Sequence, residues 1–432
     1  VAKLACMGEI IVNAPSGQFT GTTVTDDVTV FKRIVYGIAP RFGVASPPQH
    51  EDLHMHKCGE DGKEMCELVL SITAPASAKP LDDLPVVVFI HGGSYEAGSY
   101  DEPWFNAVPF ARDGVVTVSV SYRLGFLGFT RFDDDEPNRY RGIDDCEMAL
   151  EWVQKNIESF GGNPTNVTLV GQSAGAGIVL WLCRRDHYKG AFRRAWAMSP
   201  AFPRRPFRRW LAKILLCTRL TRDALGKVGY DRLEKTRARM RRLIRNDLRF
   251  GPYPFRAQEL SADIPLVVTS SQEEMLLASR KQDFSWWGRM LRPFFRRMFG
   301  ANTLWLPPHR VREIGYLIGD AMIRKFVVQV ADANPKKTWV LEYRGTTQDP
   351  IYHCADIPWF FGNFDSIPQD IPEIKHCPPL EKLVHEKALR FIHGEEPDWP
   401  EYGVDKQVLV AHLDGSTDII TDPLGYIREG MK

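Results

Sequence analysis

Several classes of protein are excluded by what this chain has little of. It carries almost no net charge: 55 basic residues stand against 54 acidic ones, a formal +1. No global field therefore gathers nucleic acid or turns away acidic substrates. No apolar run approaches the roughly 20 residues that a membrane-spanning helix needs. The opening Val1-Ala-Lys-Leu-Ala-Cys6 has no long apolar stretch of the secretory-signal kind. The compartment stays open, cytoplasmic or secreted, for a chain expected to be soluble. The eight cysteines include no CxxC pair, which argues against a structural zinc site. Internal repeats and low-complexity linkers are also lacking, so one elaborated domain over residues 1–432 is expected.

What is present is ordinary globular composition, 44% hydrophobic and 25% charged, in a chain long enough to bury a sizeable core. Pro85-Val-Val-Val-Phe-Ile90, Val115-Val-Thr-Val-Ser-Val120 and Val167-Thr-Leu-Val170 are short β-branched apolar runs closed by turn residues. Such runs suit strands buried on both faces. Between the last two, Met148, Ala149, Trp152, Val153 and Ile157 recur at helical spacing. Strand, helix, strand predicts a parallel sheet flanked by helices, an α/β class. Residues 10–36 alternate and are rich in Thr and Gly, as in antiparallel hairpins at a sheet edge.

Two stretches differ in character, and both are expected to form helical cap insertions, within 184–250 and 276–335. The first is studded with arginine (Arg204-Arg205, Arg208-Arg209, residues 237–245) and is read as a solvated helical face rather than a nucleic-acid surface. The second holds Phe284-Ser-Trp286-Trp287 and Phe294-Phe295-Arg-Arg-Met-Phe299. These aromatics are expected to form cap core, with some facing a substrate tunnel or a membrane. Cys58 and Cys66 bracket a short polar loop and form either a disulfide or two free thiols. Asn166 fits a glycosylation sequon but leads into a buried strand, so it is expected to be unmodified.

The chemistry centres on Gly171-Gln172-Ser173-Ala174-Gly175. A strand running into GxSxG and then an apolar helix is the setting of a nucleophile on a tight turn, where side chains at the glycine positions would strike the neighbouring backbone. Serine needs a base and an orienting acid, and in this fold the acid and then the histidine follow the nucleophile in the chain. Seven of the 11 histidines lie downstream of Ser173. His353 follows the apolar strand Thr338-Trp-Val-Leu-Glu-Tyr343, His385 and His393 sit in an amphipathic helical stretch, and His187 lies too close behind the nucleophile. For the acid, the run Ile264-Pro-Leu-Val-Val-Thr269 leads into Glu273-Glu274, and either glutamate could serve. His91-Gly92-Gly93-Ser94-Tyr95 ends a strand with small residues whose N–H groups are available to a developing oxyanion, as is the N–H of Ala174.

These segments together resemble the type-B carboxylesterase/lipase family, the cholinesterase-like α/β-hydrolases. Phe31-Lys-Arg-Ile-Val-Tyr36 with Arg41-Phe42, Glu64-Met-Cys66-Glu-Leu, Ser121-Tyr-Arg-Leu-Gly125-Phe-Leu-Gly128-Phe, and above all Phe160-Gly-Gly-Asn-Pro164 through Gly175 are similar to its signature blocks. Trp399-Pro-Glu-Tyr402 and Asp422-Pro423 resemble its closing segment. The resemblance implies Glu274 as the acid, from the match of Ser270-Ser-Gln-Glu-Glu274-Met to the family's T-x-x-E-G loop. It implies His353 as the base, from His353-Cys-Ala-Asp356-Ile-Pro-Trp-Phe360. It implies Gly93, Ser94 and Ala174 as oxyanion donors.

Three departures stand out: Met275 replaces a glycine, Gln172 replaces the cholinesterase glutamate, and the spacings of 101 and 79 residues between Ser173, Glu274 and His353 are short. The implied activity is hydrolysis of an apolar small-molecule ester through an acyl-enzyme, with no metal or organic cofactor. The rival readings are the same fold turned to a lyase, cyclase or acyltransferase reaction, or a non-catalytic interaction protein. Tyr95, Trp104, Phe105, Trp181 and Trp359 are candidates for an apolar substrate pocket.

Overall fold

The computed structural model describes residues 8–49, 65–277, 279–308, 312–346, 348–366 and 376–431. Its framework is one twelve-stranded sheet in the order β1-β2-β3-β4-β6-β5-β7-β8-β9-β10-β11-β12. The edge built by β1 (Glu9–Ala14), β2 (Gly17–Thr25), β3 (Val28–Pro40) and β4 (Met65–Pro75) is antiparallel. The centre is parallel: β6 (Val116–Val120), β5 (Leu84–Ile90), β7 (Gly162–Gln172), β8 (Arg194–Met198), β9 (Leu266–Ser271), β10 (Thr338–Arg344) and β11 (Gln407–His412). β12 (Thr417–Thr421) closes the far edge antiparallel to β11. This is the parallel-sheet α/β class expected from the alternation of apolar strands and helices, in the arrangement that the resemblance to α/β-hydrolases implies.

Because side chains alternate across a strand, each central strand feeds two cores. Val86, Val88, Ile90 and Leu169 face a core built with the helices Arg141–Asn156, Ala174–Leu182 and Lys325–Ala333. Val87, Phe89, Val170 and Val267 face a second, aromatic core with the helices Asp356–Phe361 and Pro378–His393. A buried pair anchors the antiparallel edge to the first layer. Arg123 Nη2 donates to Asp145 Oδ1 at 2.6 Å and Arg123 Nη1 donates to the Gly43 carbonyl at 2.7 Å.

The sequence boundaries differ in one instructive place. β8 falls inside the 184–250 stretch expected to be cap, because Arg193-Arg194 masks a short apolar strand. The Arg194 guanidinium, at the start of the strand, meets Asn166 Oδ1 at 2.6 Å, and Asn166 is thereby engaged. Cys66 is disulfide-bonded, whereas Cys58 lies outside the described residues. Loops at the carboxyl ends of β5, β7, β8, β9 and β10 converge on one region, where open α/β sheets bind their ligands.

Candidate active site

The loop after β7 is held in a conformation that serine avoids. Ser173 has φ 56° and ψ −116°, a strain of about 1–3 kcal/mol that persists only when its surroundings demand it. They do. The Ser173 N–H donates to the Met198 carbonyl at 2.8 Å, and the Ala201 N–H donates to the Ser173 carbonyl at 3.1 Å. A Cβ on Gly171 would lie 2.6 Å from the Gly175 backbone, and one on Gly175 only 2.0 Å from the Ile90 carbonyl oxygen. Both flanking glycines are thus steric requirements of the turn that lifts the hydroxyl.

A hydrogen-bonded line leads away from that hydroxyl. His353 Nε2 lies 2.9 Å from Ser173 Oγ, and His353 Nδ1 lies 2.6 Å from Glu274 Oε2. The other oxygen, Glu274 Oε1, accepts from Ser199 Oγ at 2.7 Å and from the Ser271 N–H at 2.8 Å. The His353 N–H donates to the Glu274 carbonyl at 3.1 Å, which ties the two loops at the backbone as well. Burial, the largest influence, opposes a proton on His353. The Cys354 sulfur and the Glu274 carboxylate outweigh it and hold the imidazole well above its ordinary 6.5.

The glycine loop after β5 meets the nucleophile edge-on. A Cβ on Gly92 would lie 2.7 Å from Gln172 Oε1 and 3.2 Å from Ser173 Cβ, so the absence of a side chain permits the approach. Gly93, Ser94 and Tyr95 follow with positive φ (105°, 58° and 62°). Below them His91 is buried, and desolvation lowers its pKa to about 4. Its ring stacks on Tyr122, whose hydroxyl donates to the His91 carbonyl at 2.8 Å. Among the described residues, no hydrogen bond uses the N–H of Gly93, Ser94 or Ala174.

Residues 38–205, which hold both the glycine loop and the nucleophile turn, match the carboxylesterase family. Over that segment the chain is similar to the carboxylesterase family. Relatives along most of the chain are named as hydrolases and esterases, which supports an enzyme of the ester-hydrolysing type. A probable N-octanoylanthranilate hydrolase of Rhodococcus erythropolis is 28% identical to it, over 90% of this chain and 94% of that protein. Phenmedipham hydrolase of Pseudarthrobacter oxydans is 26% identical, over 78% and 77%. A solved carboxylesterase of Geobacillus stearothermophilus superposes with a TM-score of 0.79 at 22% identity, covering 98% of this chain and all of the other.

Around the Ser173 line, the chain distributes its other sequence-predicted residues differently. Tyr95 is wholly buried, its hydroxyl donating to the Ala201 carbonyl at 2.7 Å. Phe105 packs on Phe89 at 4.7 Å between ring centroids, Trp359 packs on Tyr343 at 5.5 Å, and Trp181 is wholly buried. These four are core residues, not pocket walls. Strand ends and the short helices after them place their aromatics in the two layers beside the sheet. Trp104 is half-buried against the aromatic core. His187, His385 and His412 pair with Asp186, Asp113 and Asp418, and His309 lies outside the described residues.

Three neighbours were given no role at the site by sequence. Ser199, just past β8, supports Glu274. Gln172 Nε2 lies 3.2 Å from Cys354 Sγ and so clips the histidine loop to the nucleophile strand. Asp356 is wholly buried, with Thr269 Oγ1 donating to it at 3.2 Å. Burial first, then the Glu274 charge, pushes its pKa from 3.8 to about 7.

A carboxyl that holds its proton more tightly in the folded state loses stability as pH rises between the unfolded and folded pKa values, here from about 4 to about 7. Asp356→Asn, neutral throughout, is therefore expected to be more stable than the parent at pH 8 by up to about 4 kcal/mol, and near parity at pH 4. Urea unfolding at the two pH values checks this. An equal gain at both would show that charge is not the cause.

Proposed function

We propose that the chain hydrolyses carboxylic esters of apolar small molecules through an acyl-enzyme on Ser173. His353 takes the hydroxyl proton during attack on the carbonyl. Glu274 orients the ring and stabilises the imidazolium. The N–H groups of Gly93, Ser94 and Ala174 hold the oxyanion, each such donor being worth roughly 3 kcal/mol at the transition state. His353 then protonates the leaving alcohol, and water repeats the sequence in reverse to release the acid.

The observation that carries this reading is the unbroken line from Ser173 Oγ through His353 to Glu274, at 2.9 and 2.6 Å, set on a turn whose backbone is already strained. The raised pKa of His353 adds a pH signature. The base must be unprotonated, so activity rises with pH, and the acidic limb of kcat/KM is expected above 6.5.

The test is covalent labelling by a fluorophosphonate, followed by turnover of nitrophenyl esters of increasing acyl length and of N-octanoylanthranilate, which is named for a relative. Stoichiometric labelling lost in Ser173→Ala, together with ester turnover, is the expected result. An unlabelled parent chain would remove Ser173 as nucleophile. Labelling with cleavage of the N-octanoylanthranilate amide alone would replace the ester by an amide substrate. Labelling without hydrolysis of any of these esters or of the amide would remove the hydrolytic reading and leave a transfer or elimination reaction on the same serine.

A further inference from the structure

The aromatic stretch 284–299 was expected to form cap core, yet of its aromatics only Phe299 is buried and Phe295 partly so, while Phe284, Trp286, Trp287 and Phe294 are exposed. The helices Trp286–Met290 and Arg292–Phe299 follow each other with hardly a break. The Leu291 N–H donates to the Trp287 carbonyl at 3.0 Å and the Phe295 N–H to the Leu291 carbonyl at 2.9 Å, so helical spacing carries across the junction. On the inner side, Gly288 and Phe299 are buried and Phe295 partly so. On the outer side Trp286, Trp287, Met290, Leu291 and Phe294 form one i, i+4 stripe open to solvent, with Trp286 and Met290 each 69% exposed and Phe294 59%. Arg292 and Arg296 flank the stripe and pair with Glu313, at 3.6 and 2.7 Å. Arg289 and Arg297 are exposed and form no ion pair among the described residues.

A second patch adjoins it. Arg204 stacks over the Phe299 ring at 4.3 Å and donates to the Asn246 carbonyl at 2.7 Å. That contact links the end of the aromatic helix to the end of the basic helix Tyr230–Leu243. There Leu243 is exposed beside Arg241, Arg242 and Arg245. Trp210 and Ile214 are exposed one turn apart on the neighbouring helix Arg209–Leu216. Residues 201–250 hold 16 basic residues against 4 acidic ones, a local +12 in a chain whose total is +1, so the remainder is net acidic. Arg209, Arg222 and Arg249 are balanced by Asp133, Asp134 and Glu96 from outside the segment, whereas Arg241, Arg242 and Arg245 are exposed with no ion pair among the described residues.

We infer that this face docks on an anionic phospholipid bilayer, lying in the interface plane with the 286–294 stripe among the acyl chains and the arginines at the headgroups. Charge complementarity selects the occupant. An apolar stripe of Trp, Phe, Leu and Met with arginine at its border is the composition of an interfacial helix, and clustered arginine is attracted to anionic headgroups. A two-fold contact with a second copy would instead set two cationic faces against each other. No helix among the described residues is long and apolar enough to cross a membrane, and none is required.

The experiment is co-sedimentation of the full chain with large unilamellar vesicles, either pure phosphatidylcholine or with about a third phosphatidylglycerol. Binding to the anionic vesicles is expected to exceed that to neutral ones at least tenfold at low salt. It should fall at least tenfold in 0.5 M NaCl, with a blue shift of tryptophan emission on binding. Trp286→Ser combined with Phe294→Ser should lower binding tenfold, and Arg241→Glu with Arg242→Glu and Arg245→Glu should erase the preference for anionic lipid. Both variants are expected to keep the parent's melting temperature, because the replaced side chains are exposed. No binding to anionic vesicles would overturn the inference. So would binding unchanged in both variants, or a lipid-free dimer that Trp286→Ser with Phe294→Ser dissolves.

Discussion

Ser173→Ala is expected to lower kcat on a nitrophenyl ester by roughly 10⁶-fold, and His353→Ala added to it is expected to cost almost nothing more. The non-additivity is the informative part. If His353 acts only by withdrawing the Ser173 proton, its function disappears with the hydroxyl, and the double variant matches either single one. What remains is the activity supplied by binding and by the three amides of the oxyanion loop. The fold should survive, since the strained turn is held by backbone contacts at Ser173 N and O rather than by Oγ. Steady-state rates of the two single variants and the double variant close the cycle. Additive losses would mean that the two side chains serve different steps, and the proton relay would have to be abandoned.

Much of the fold was legible because local rules and global packing agree there. The runs at 85–90, 115–120 and 167–170 are short, largely apolar and rich in β-branched residues, which suits a strand buried on both faces. The nucleophile turn was legible for a steric reason: at both 171 and 175 an added Cβ would lie only 2.0–2.6 Å from neighbouring backbone atoms, which leaves glycine.

The glutamate pair was not decidable from chemistry alone. Glu273 and Glu274 are both buried at the end of β9, and only the three-dimensional path of the loop separates them. The pocket aromatics misled because a large ring near a strand end suits a core as well as a cavity. In Phe105 and Trp359 the two layers beside the sheet claimed it. Ser199 and Asp356 gave no signal because their partners lie 75 and 87 residues away in sequence. The basic stretch was visible as charge, but its pairing with an outward aromatic stripe required knowing which side of residues 286–299 the core covers.

The same glutamates supply the sharpest test of the proposed acid. Glu274→Gln is expected to lower kcat roughly 10⁴-fold with the fold intact, whereas Glu273→Gln should leave kcat within about threefold. Two donors, Ser199 Oγ and the Ser271 N–H, converge on Oε1 of Glu274. A glutamine there must turn its carbonyl toward them and its NH₂ toward His353 Nδ1. That forces the ring proton onto Nε2, the atom that has to accept from Ser173, and the wrong tautomer cannot act as base.

Glu273 faces elsewhere. Its Oε2 accepts from the N–H groups of Gly345 and Ile351 at 3.1 and 3.3 Å, and burial pushes its pKa up to about 7. A glutamine keeps one acceptor for those amides and removes a charge that the site holds poorly, so Glu273→Gln should gain stability above pH 7 while turning over normally. Rates and urea midpoints of both variants at pH 8 decide the matter. If Glu274→Gln kept more than a tenth of the parent rate, or if Glu273→Gln lost the larger share, the acid would have to be reassigned along the loop.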